Sequence, residues 1–202
     1  MKITTIIFDL GNVLIGWDPD RVFDKIFDDK EKKKHFFESI CTMEWNEMQD
    51  EGRSIAEATN ELVAKHPDWK EHIEAYYGQW PQMISGPIDG TVEIFKQLKD
   101  AGKYKFYALT NWSAELFPYA LKHFHFLQWF DGRVVSGEEK MRKPYPQFYQ
   151  VLLDRYDVTP DEAVFIDDSL RNIKAAEELG IKSIHFTSPE QLKEELKTLG
   201  VL

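Results

Sequence analysis

Short apolar runs that alternate with segments of helical spacing constrain this fold more than any other feature of the sequence. Strands that alternate with helices are typical of a parallel sheet with helices on both faces. The sequence therefore predicts a doubly wound α/β fold. Its strands are expected over residues 3–10, 105–109, 132–136, 163–166 and 182–186. Its helices are expected over residues 89–101, 113–124, 146–156 and 169–179 and from 189 onward.

The stretch that follows the first run has a different pattern. Between residues 19 and 77, charged and aromatic side chains recur at helical spacing, which predicts about four short helices and no strand. Residues 81–87 are expected to be the linker that returns to the sheet. We therefore predict an α/β core of residues 1–16 and 86–202 and a small helical cap of residues 17–85. Open α/β sheets bind ligands at the carboxyl edge where this insertion begins, so the cap is expected to cover a site.

The charge balance limits the classes of partner. The chain has 25 basic and 35 acidic residues and a formal net charge of −10. Such a chain offers no basic surface to nucleic acid or to an anionic membrane, so an anionic substrate must be held by a local positive site. No run in the sequence approaches the roughly 18 apolar residues of a membrane span. A small anionic metabolite is the partner that remains.

Cysteine and histidine usage indicates neither a disulfide nor a zinc site. The single cysteine, Cys41, excludes an internal disulfide and fits a reducing compartment. It lies in a segment of helical spacing, and we interpret it as structural rather than as a catalytic thiol. None of the six histidines has the spacing of zinc ligands. We expect a cytoplasmic protein, for which the sequence is compatible with a monomer or a homodimer.

Polar residues with complementary chemistry follow the ends of the predicted strands. The carboxyl ends of parallel strands meet at one edge of a sheet, so separated segments of the chain converge there. The residues expected at this edge are Asp9, Thr110, Asn111, Asp167 and Asp168, together with Lys143 from the segment after the third of these strands.

The chemistry of these residues fits a phosphate and a divalent cation. Three crowded carboxylates repel one another unless a cation lies between them, and Mg²⁺ accepts carboxylate, carbonyl and phosphate oxygens. Lys143 and the Thr110 hydroxyl would hold a phosphate, assisted by the amino end of a helix that we expect to open directly after Thr110. The Asp9 carboxylate could act as a nucleophile that forms an aspartyl-phosphate.

Four segments resemble, in order, the motifs of the haloacid dehalogenase-like hydrolase superfamily. They are Phe8–Leu14, Leu109–Asn111, Lys143–Pro144 and Ile166–Asn172, each in the expected strand or loop context. The resemblance covers nearly the whole chain. It implies a Rossmann-like core with a helical cap that supplies specificity, and an Mg²⁺-dependent phosphatase acting on a small phosphorylated metabolite.

The resemblance also implies roles for individual residues. Asp9 would be both nucleophile and metal ligand, Gly11 would offer its backbone carbonyl to the metal, and Asp168 would be a direct ligand. Asp167 would be a second ligand or act through water. Substrate phosphate would be bound by Thr110, Asn111 and Lys143.

One position departs from the family pattern. Phosphatases of this family usually carry a general acid two residues after the nucleophile, where this chain has Gly11. The string around Asp9 nevertheless resembles that of bacterial sugar-phosphate phosphatases such as α-D-glucose-1-phosphate phosphatase, whose leaving group needs little protonation. We therefore expect a hexose 1-phosphate or a similar sugar phosphate. Asp18 is a candidate replacement acid, although a helix cap before Pro19 is the interpretation we prefer.

Other residues near the motifs are candidates for the pocket. Trp17 and Trp112 flank the motif loops and are expected to bind substrate, whereas Trp45, Trp69, Trp80 and Trp129 are expected to pack between cap and core. Asn172, one helical turn after Asp168, would orient the metal shell. Arg142 is a weaker candidate for the site than Lys143.

Two other functions remain open. A 2-haloacid dehalogenase would use Asp9 and Lys143 without metal, and Tyr149 matches a tyrosine of that subfamily. Against it, the dehalogenases carry serines where this chain has Asp167 and Asp168. A non-catalytic protein that binds a phosphate ligand would explain Gly11, because a fold alone does not prove turnover.

Overall fold

Five parallel strands form the central sheet, in the order β5-β4-β1-β6-β7. The computed structural model describes residues 2–202, and Met1 of the predicted core lies outside the described residues. The strands are β1 (Thr5–Phe8), β2 (Ile15–Trp17), β3 (Ile84–Pro87), β4 (Lys105–Thr110), β5 (Gly132–Val135), β6 (Ala163–Asp167) and β7 (Lys182–His185). The predicted doubly wound parallel sheet is thereby confirmed.

Burial on both faces explains why the strands are continuous apolar runs. β1 lies between β4 and β6, and Ile6 pairs with Phe106 on one side and Val164 on the other. Successive side chains point to opposite faces, so Ile6 joins one apolar cluster and Ile7 the other. A strand that is buried on both faces can be recognised in the sequence as a continuous apolar run, without alternating polar and apolar residues.

Helices cover both faces of the sheet and form the cap. They are α1 (Asp20–Ile26), α2 (Lys30–His35), α3 (Met43–Asp50), α4 (Ile55–Lys65), α5 (Lys70–Gly78), α6 (Trp80–Met83), α7 (Asp89–Asp100), α8 (Phe117–His123), α9 (Ser136–Glu139), α10 (Pro146–Tyr156), α11 (Leu170–Glu178) and α12 (Pro189–Thr198). Between residues 2 and 202, no helix is both long enough and apolar enough to cross a bilayer.

The inserted segment has more structure than the sequence predicted. Residues 19–77 form five α-helices where about four were expected, and residues 81–87 form the end of α6 and strand β3 rather than a linker. β3 pairs with β2 in a two-stranded antiparallel sheet through which the chain leaves and re-enters the core. These strands are three and four residues long, too short for a periodic signal. The division at residues 17 and 85 stays a prediction.

Aromatic packing holds the cap together. Phe23 contacts Phe36 and Tyr76 at centroid distances of 5.1 and 6.0 Å, and Trp45 contacts Tyr76 at 5.4 Å. Cys41 is buried beside this cluster, and burial raises the pKa of its thiol well above the usual range. A thiol of this kind is unreactive, which agrees with the structural interpretation.

The loop after β4 does not open a helix at once. α8 begins only at Phe117, with Pro118 in its first turn, so the expected helix start directly after Thr110 is wrong. The loop instead packs against Gly137 of α9, whose backbone N–H donates to the carbonyl oxygen of Trp112 at 3.1 Å. Any side chain at Gly137 would collide with the backbone of Ala114, which explains this glycine.

Candidate active site

Lys143 is the centre of the candidate site. Its side chain is completely buried, and its Nζ donates to Asp9 Oδ1 at 2.9 Å, Asp167 Oδ2 at 2.7 Å and the carbonyl oxygen of Leu109 at 2.8 Å. Three acceptors match the three hydrogens of an ammonium group. Residues from three separate motifs therefore meet at one buried cation.

Asn111 holds the backbone of Lys143 in place. Its Oδ1 accepts the N–H of Lys143 at 2.8 Å, and its Nδ2 donates to the carbonyl oxygen of Lys143 at 3.0 Å. The sequence predicts that Asn111 contacts substrate, whereas both polar atoms of its amide bond the backbone of Lys143. The side chain thus fixes the lysine from the adjacent strand end.

Asp167 is anchored from several directions. Its Oδ1 accepts the N–H of Ser169 at 2.8 Å, and Nδ2 of Asn172 lies 3.0 and 3.1 Å from its two oxygens. With Lys143, these donors use much of its accepting capacity. Asn172 was expected to orient the metal shell, and its direct partner is this carboxylate.

Asp9 and Asp168 complete a cluster of three carboxylates. One oxygen from each of Asp9, Asp167 and Asp168 lies within 4.8 Å of the others. The Oδ1 of Asp9 also accepts the N–H of Leu10 at 2.7 Å. Among residues 2–202, no protein donor bonds Asp9 Oδ2, so this oxygen is available to an incoming group. Asp168 is exposed, and His185 bonds its backbone carbonyl at 2.9 Å.

Burial and mutual repulsion disfavour the charged carboxylates. The pKa of Asp9 is raised to about 8, first by burial and then by the charges of Asp167 and Asp168, while Lys143 opposes the rise. The pKa of Asp168 is also raised, first by the partial loss of solvent around its carboxylate and then by the charge of Asp167. Burial would lower the pKa of Lys143, but Asp167 and Asp9 outweigh it, so the net direction is upward.

This donor set fits a hard divalent cation. The three carboxylates are oxygen donors, and their repulsion would fall if a cation lay between them. Asp168 is the most accessible of the three, whereas Asp167 is committed to Lys143 and Asn172. Gly11 and Asp168 both line a cavity that is described below. The structure thus brings together the three carboxylates that the sequence named as metal ligands, and their role as ligands stays a prediction.

Thr110 ends β4 with a hydroxyl that has no partner. The residue is fully buried, and its Oγ1 is one of the buried side-chain atoms without a hydrogen bond among the residues that the structure describes. A buried hydroxyl without a partner is unfavourable by about 1–3 kcal/mol unless a ligand or water bonds it. The hydroxyl therefore fits the predicted contact with a phosphate oxygen.

A cavity of about 410 Å³ lies between core and cap beside the cluster. Trp17 and Trp112 line it, as predicted. Trp80 also lines it and contacts Trp112 edge-on at 5.8 Å, so its expected role as packing alone is incomplete. The further lining residues are Gly11, Asn12, Met43, Asn46, Glu47, Asp50, Asn111, Leu116, Asp168, Ser169, Arg171 and Asn172.

Helix α3 supplies the polar wall that the sequence analysis missed. Asn46, Glu47 and Asp50 line the cavity at spacings of one, three and four residues, which places them on one helical face. Glu47 pairs with Arg142 at 3.2 Å and with Arg171, which ties the cap to the segments that carry Lys143 and Asp168. This polar stripe was visible in the sequence, but nothing there showed which way it faces.

Asp18 lies outside the cavity. It is exposed, and its Oδ1 accepts the N–H of Asp20, the first residue of α1, at 2.9 Å. The carboxylate therefore satisfies a free amide at the helix start, although Pro19 occupies the cap position itself. This geometry favours the structural interpretation of Asp18 over that of a replacement acid.

Several known proteins are similar to this chain in sequence and in fold. The sequence model of the haloacid dehalogenase-like hydrolase family matches residues 3–180. A sesquiterpene phosphatase of Aspergillus oryzae is 29% identical over 195 residues, which cover 96% of this chain and 94% of that protein. A flavin mononucleotide hydrolase of Arabidopsis thaliana is 30% identical over 116 residues, 56% of this chain and 46% of that protein.

A solved structure extends the comparison to a metal-bound relative. It is a haloacid dehalogenase-family enzyme of Bacteroides thetaiotaomicron in complex with magnesium and inorganic phosphate. The TM-score is 0.68 at 28% identity, and the match covers 92% of this chain and 95% of that one.

Proposed function

This chain belongs to the haloacid dehalogenase-like hydrolase family, and we propose that it is an Mg²⁺-dependent phosphatase that forms an aspartyl-phosphate on Asp9. The observation that carries the proposal is the buried Lys143, bonded to Asp9 and Asp167 beside a third carboxylate. A lysine and a cation site that flank one nucleophilic oxygen suit the charges of a phosphoryl group.

Asp9, Asp168 and the backbone carbonyl of Gly11 would hold Mg²⁺, with Asp167 a second ligand or a ligand through water. The bonds of Asp167 to Lys143 and Asn172 favour the water-mediated arrangement. When bound, the metal supplies positive charge that neutralises phosphoryl oxygens and keeps the carboxylates ionised. The relative solved with magnesium and inorganic phosphate supports Mg²⁺ as the bound cation.

The reaction uses the free oxygen of Asp9. Asp9 Oδ2 attacks phosphorus while Oδ1 is held by Lys143 and by the N–H of Leu10. Thr110 Oγ1 donates to a phosphoryl oxygen, Lys143 supplies positive charge to the bound phosphoryl group, and Asn111 keeps the lysine backbone in position. Water then hydrolyses the aspartyl-phosphate and releases inorganic phosphate.

For the substrate, we propose a sugar phosphate such as a hexose 1-phosphate. Trp17, Trp80 and Trp112 offer faces on which a sugar ring can stack, and the polar groups of α3 can bond hydroxyls. A cavity of about 410 Å³ has room for a ligand of this size. The name of the Aspergillus relative points to an apolar alcohol instead, so the substrate panel must include a prenyl monophosphate.

Hydrolysis of p-nitrophenyl phosphate and of this panel, with EDTA and after Mg²⁺ is added back, tests the proposal. Phosphate release that requires Mg²⁺ and disappears in Asp9→Asn is expected. Release that persists in Asp9→Asn would refute the aspartyl-phosphate. If no ester is hydrolysed, halide release from 2-chloropropionate identifies a dehalogenase, and binding of inorganic phosphate without turnover identifies a binding protein.

A further inference from the structure

The usual position of the general acid faces open space in this protein. A β-carbon built on Gly11 would meet no atom within 4 Å. The loop after β1 therefore brings no proton donor towards the leaving group. A phosphatase that acts on ordinary alcohol esters needs such a donor, whose contribution is typically about 10²–10⁴-fold in rate. For esters whose leaving group needs a proton, the donor must come from another wall of the same cavity.

Asp50 is the carboxyl group on the opposite wall. It is the last residue of α3, and it lines the cavity together with Gly11 and Asp168. The backbone carbonyl of Asp50 accepts a hydrogen bond from Ser136 Oγ, and Ser136 Oγ in turn accepts the N–H of Trp112 at 2.8 Å. This end of α3 is thus attached to the loop that follows Thr110, on the phosphate side of the site.

The surroundings of Asp50 leave its carboxyl free to exchange a proton. The core arginines that reach α3 are committed to other acids: Arg142 pairs with Glu47 and Glu51, and Arg171 pairs with Glu47. Within residues 2–202, the one side-chain donor to the Asp50 carboxyl is Asn46 Nδ2, at a long 3.4 Å, and the backbone N–H of Ser113 lies near enough to stabilise the charged form. Glu47, a second acid of α3 that lines the cavity, is already engaged by two arginines.

The electrostatics point the same way. Burial and then the charge of Glu47 raise the pKa of Asp50 to about 7, and the N–H of Ser113 and the charge of Arg142 only partly oppose them. A carboxyl group with a pKa near the working pH is suited to donate a proton in one step and accept one in the next.

We propose that Asp50 is a further catalytic residue of this enzyme, the cap-borne general acid and base that replaces the acid missing at Gly11. The inference rests on the proposed function. It also explains why the cap is tied to the core through Glu47, because the acid is placed only when α3 lies over the strand ends.

The two steps balance in protons. As Asp9 Oδ2 bonds phosphorus, the bond from phosphorus to the ester oxygen breaks, and that oxygen takes the proton of Asp50 to leave as the alcohol. In the second step, the Asp50 carboxylate removes a proton from water while the water oxygen bonds phosphorus. The bond from phosphorus to Asp9 breaks, which restores the Asp9 carboxylate, protonated Asp50 and free phosphate.

The test compares two esters of similar size in the variant Asp50→Asn. Phenol is a far poorer leaving group than p-nitrophenol, so phenyl phosphate needs the acid and p-nitrophenyl phosphate does not. We expect rapid-quench kinetics to show enzyme phosphorylation by phenyl phosphate about 10²-fold slower than in the wild type. The initial burst of p-nitrophenol should keep its rate, followed by slow turnover because the second step lacks its base.

The matched control is Glu44→Gln, which removes an exposed acid from the same helix and should leave both rates unchanged. Both esters are measured on one preparation, so the ratio of their rates does not depend on the folded fraction. Equal slowing of the two esters in Asp50→Asn, or no slowing of either, overturns the role of Asp50. A wild-type protein that, with Mg²⁺, hydrolyses neither these esters nor any ester of the substrate panel overturns the proposed function itself.

Discussion

Replacing Lys143 by methionine removes the buried cation that lies between two carboxylates. The lysine contacts Asp9 and Asp167 at 2.9 and 2.7 Å with no exposed surface, while methionine keeps most of its volume. Removal of one partner from a buried ion pair lowers the free energy of unfolding by about 3–5 kcal/mol. With a urea m-value of about 2 kcal/mol/M, a loss of about 4 kcal/mol lowers the urea midpoint by about 2 M.

The loss of unfolding free energy in Lys143→Met should depend on pH. Lys143 has a raised pKa, so its contribution is fully present below the pKa of an unfolded lysine, and the deficit appears at both pH 5 and pH 8. Lys143 opposes the rise of the Asp9 pKa, which is about 8 in the wild type, so Asp9 is protonated more completely near pH 8 in the folded variant. The variant therefore takes up more protons on folding, and its deficit grows as pH rises.

The assay is urea unfolding of both proteins at pH 5 and pH 8 in EDTA, followed by far-ultraviolet circular dichroism. The deficit should be larger at pH 8 than at pH 5, by less than the limit of about 1.4 kcal/mol per pH unit for one proton. The control is Lys96→Met, which breaks an exposed pair with Asp100 and should change stability by under about 0.5 kcal/mol. A deficit that is equal at both pH values, or larger at pH 5, would refute the reasoning.

Three further predictions test other contacts. Asn111→Ala removes two hydrogen bonds to the backbone of Lys143, so urea unfolding should show a loss of about 2 kcal/mol together with a lower kcat; an unchanged kcat would contradict the positioning role. Gly11→Asp in the Asp50→Asn background should restore phosphorylation by phenyl phosphate, because the position faces open space, and a double variant as slow as Asp50→Asn would count against it. EDTA should abolish phosphate release yet leave the circular dichroism spectrum unchanged, since Lys143 already neutralises part of the carboxylate cluster; a changed spectrum would show that the metal is needed for folding.

The sequence by itself determined the sheet and the convergence of its motifs. β1, β4 and β6 are buried on both faces, so each is a continuous apolar run that can be recognised without knowing its neighbours. Their carboxyl ends share one edge because the strands are parallel. Asp9 and Asp167, more than 150 residues apart in the chain, were therefore expected together, and both bond Lys143 in the structure.

Only the tertiary structure decided what faces these residues across the cavity. The helical spacing of α3 is clear in the sequence, but which of its faces meets the core depends on how the β2–β3 ladder orients the cap and on the ion pairs of Glu47 with Arg142 and Arg171. Those contacts join segments about 95 and 124 residues apart. Local propensity carries no information about pairing at such separation, so the place of Asp50 in the same cavity as Gly11 had to come from the folded chain.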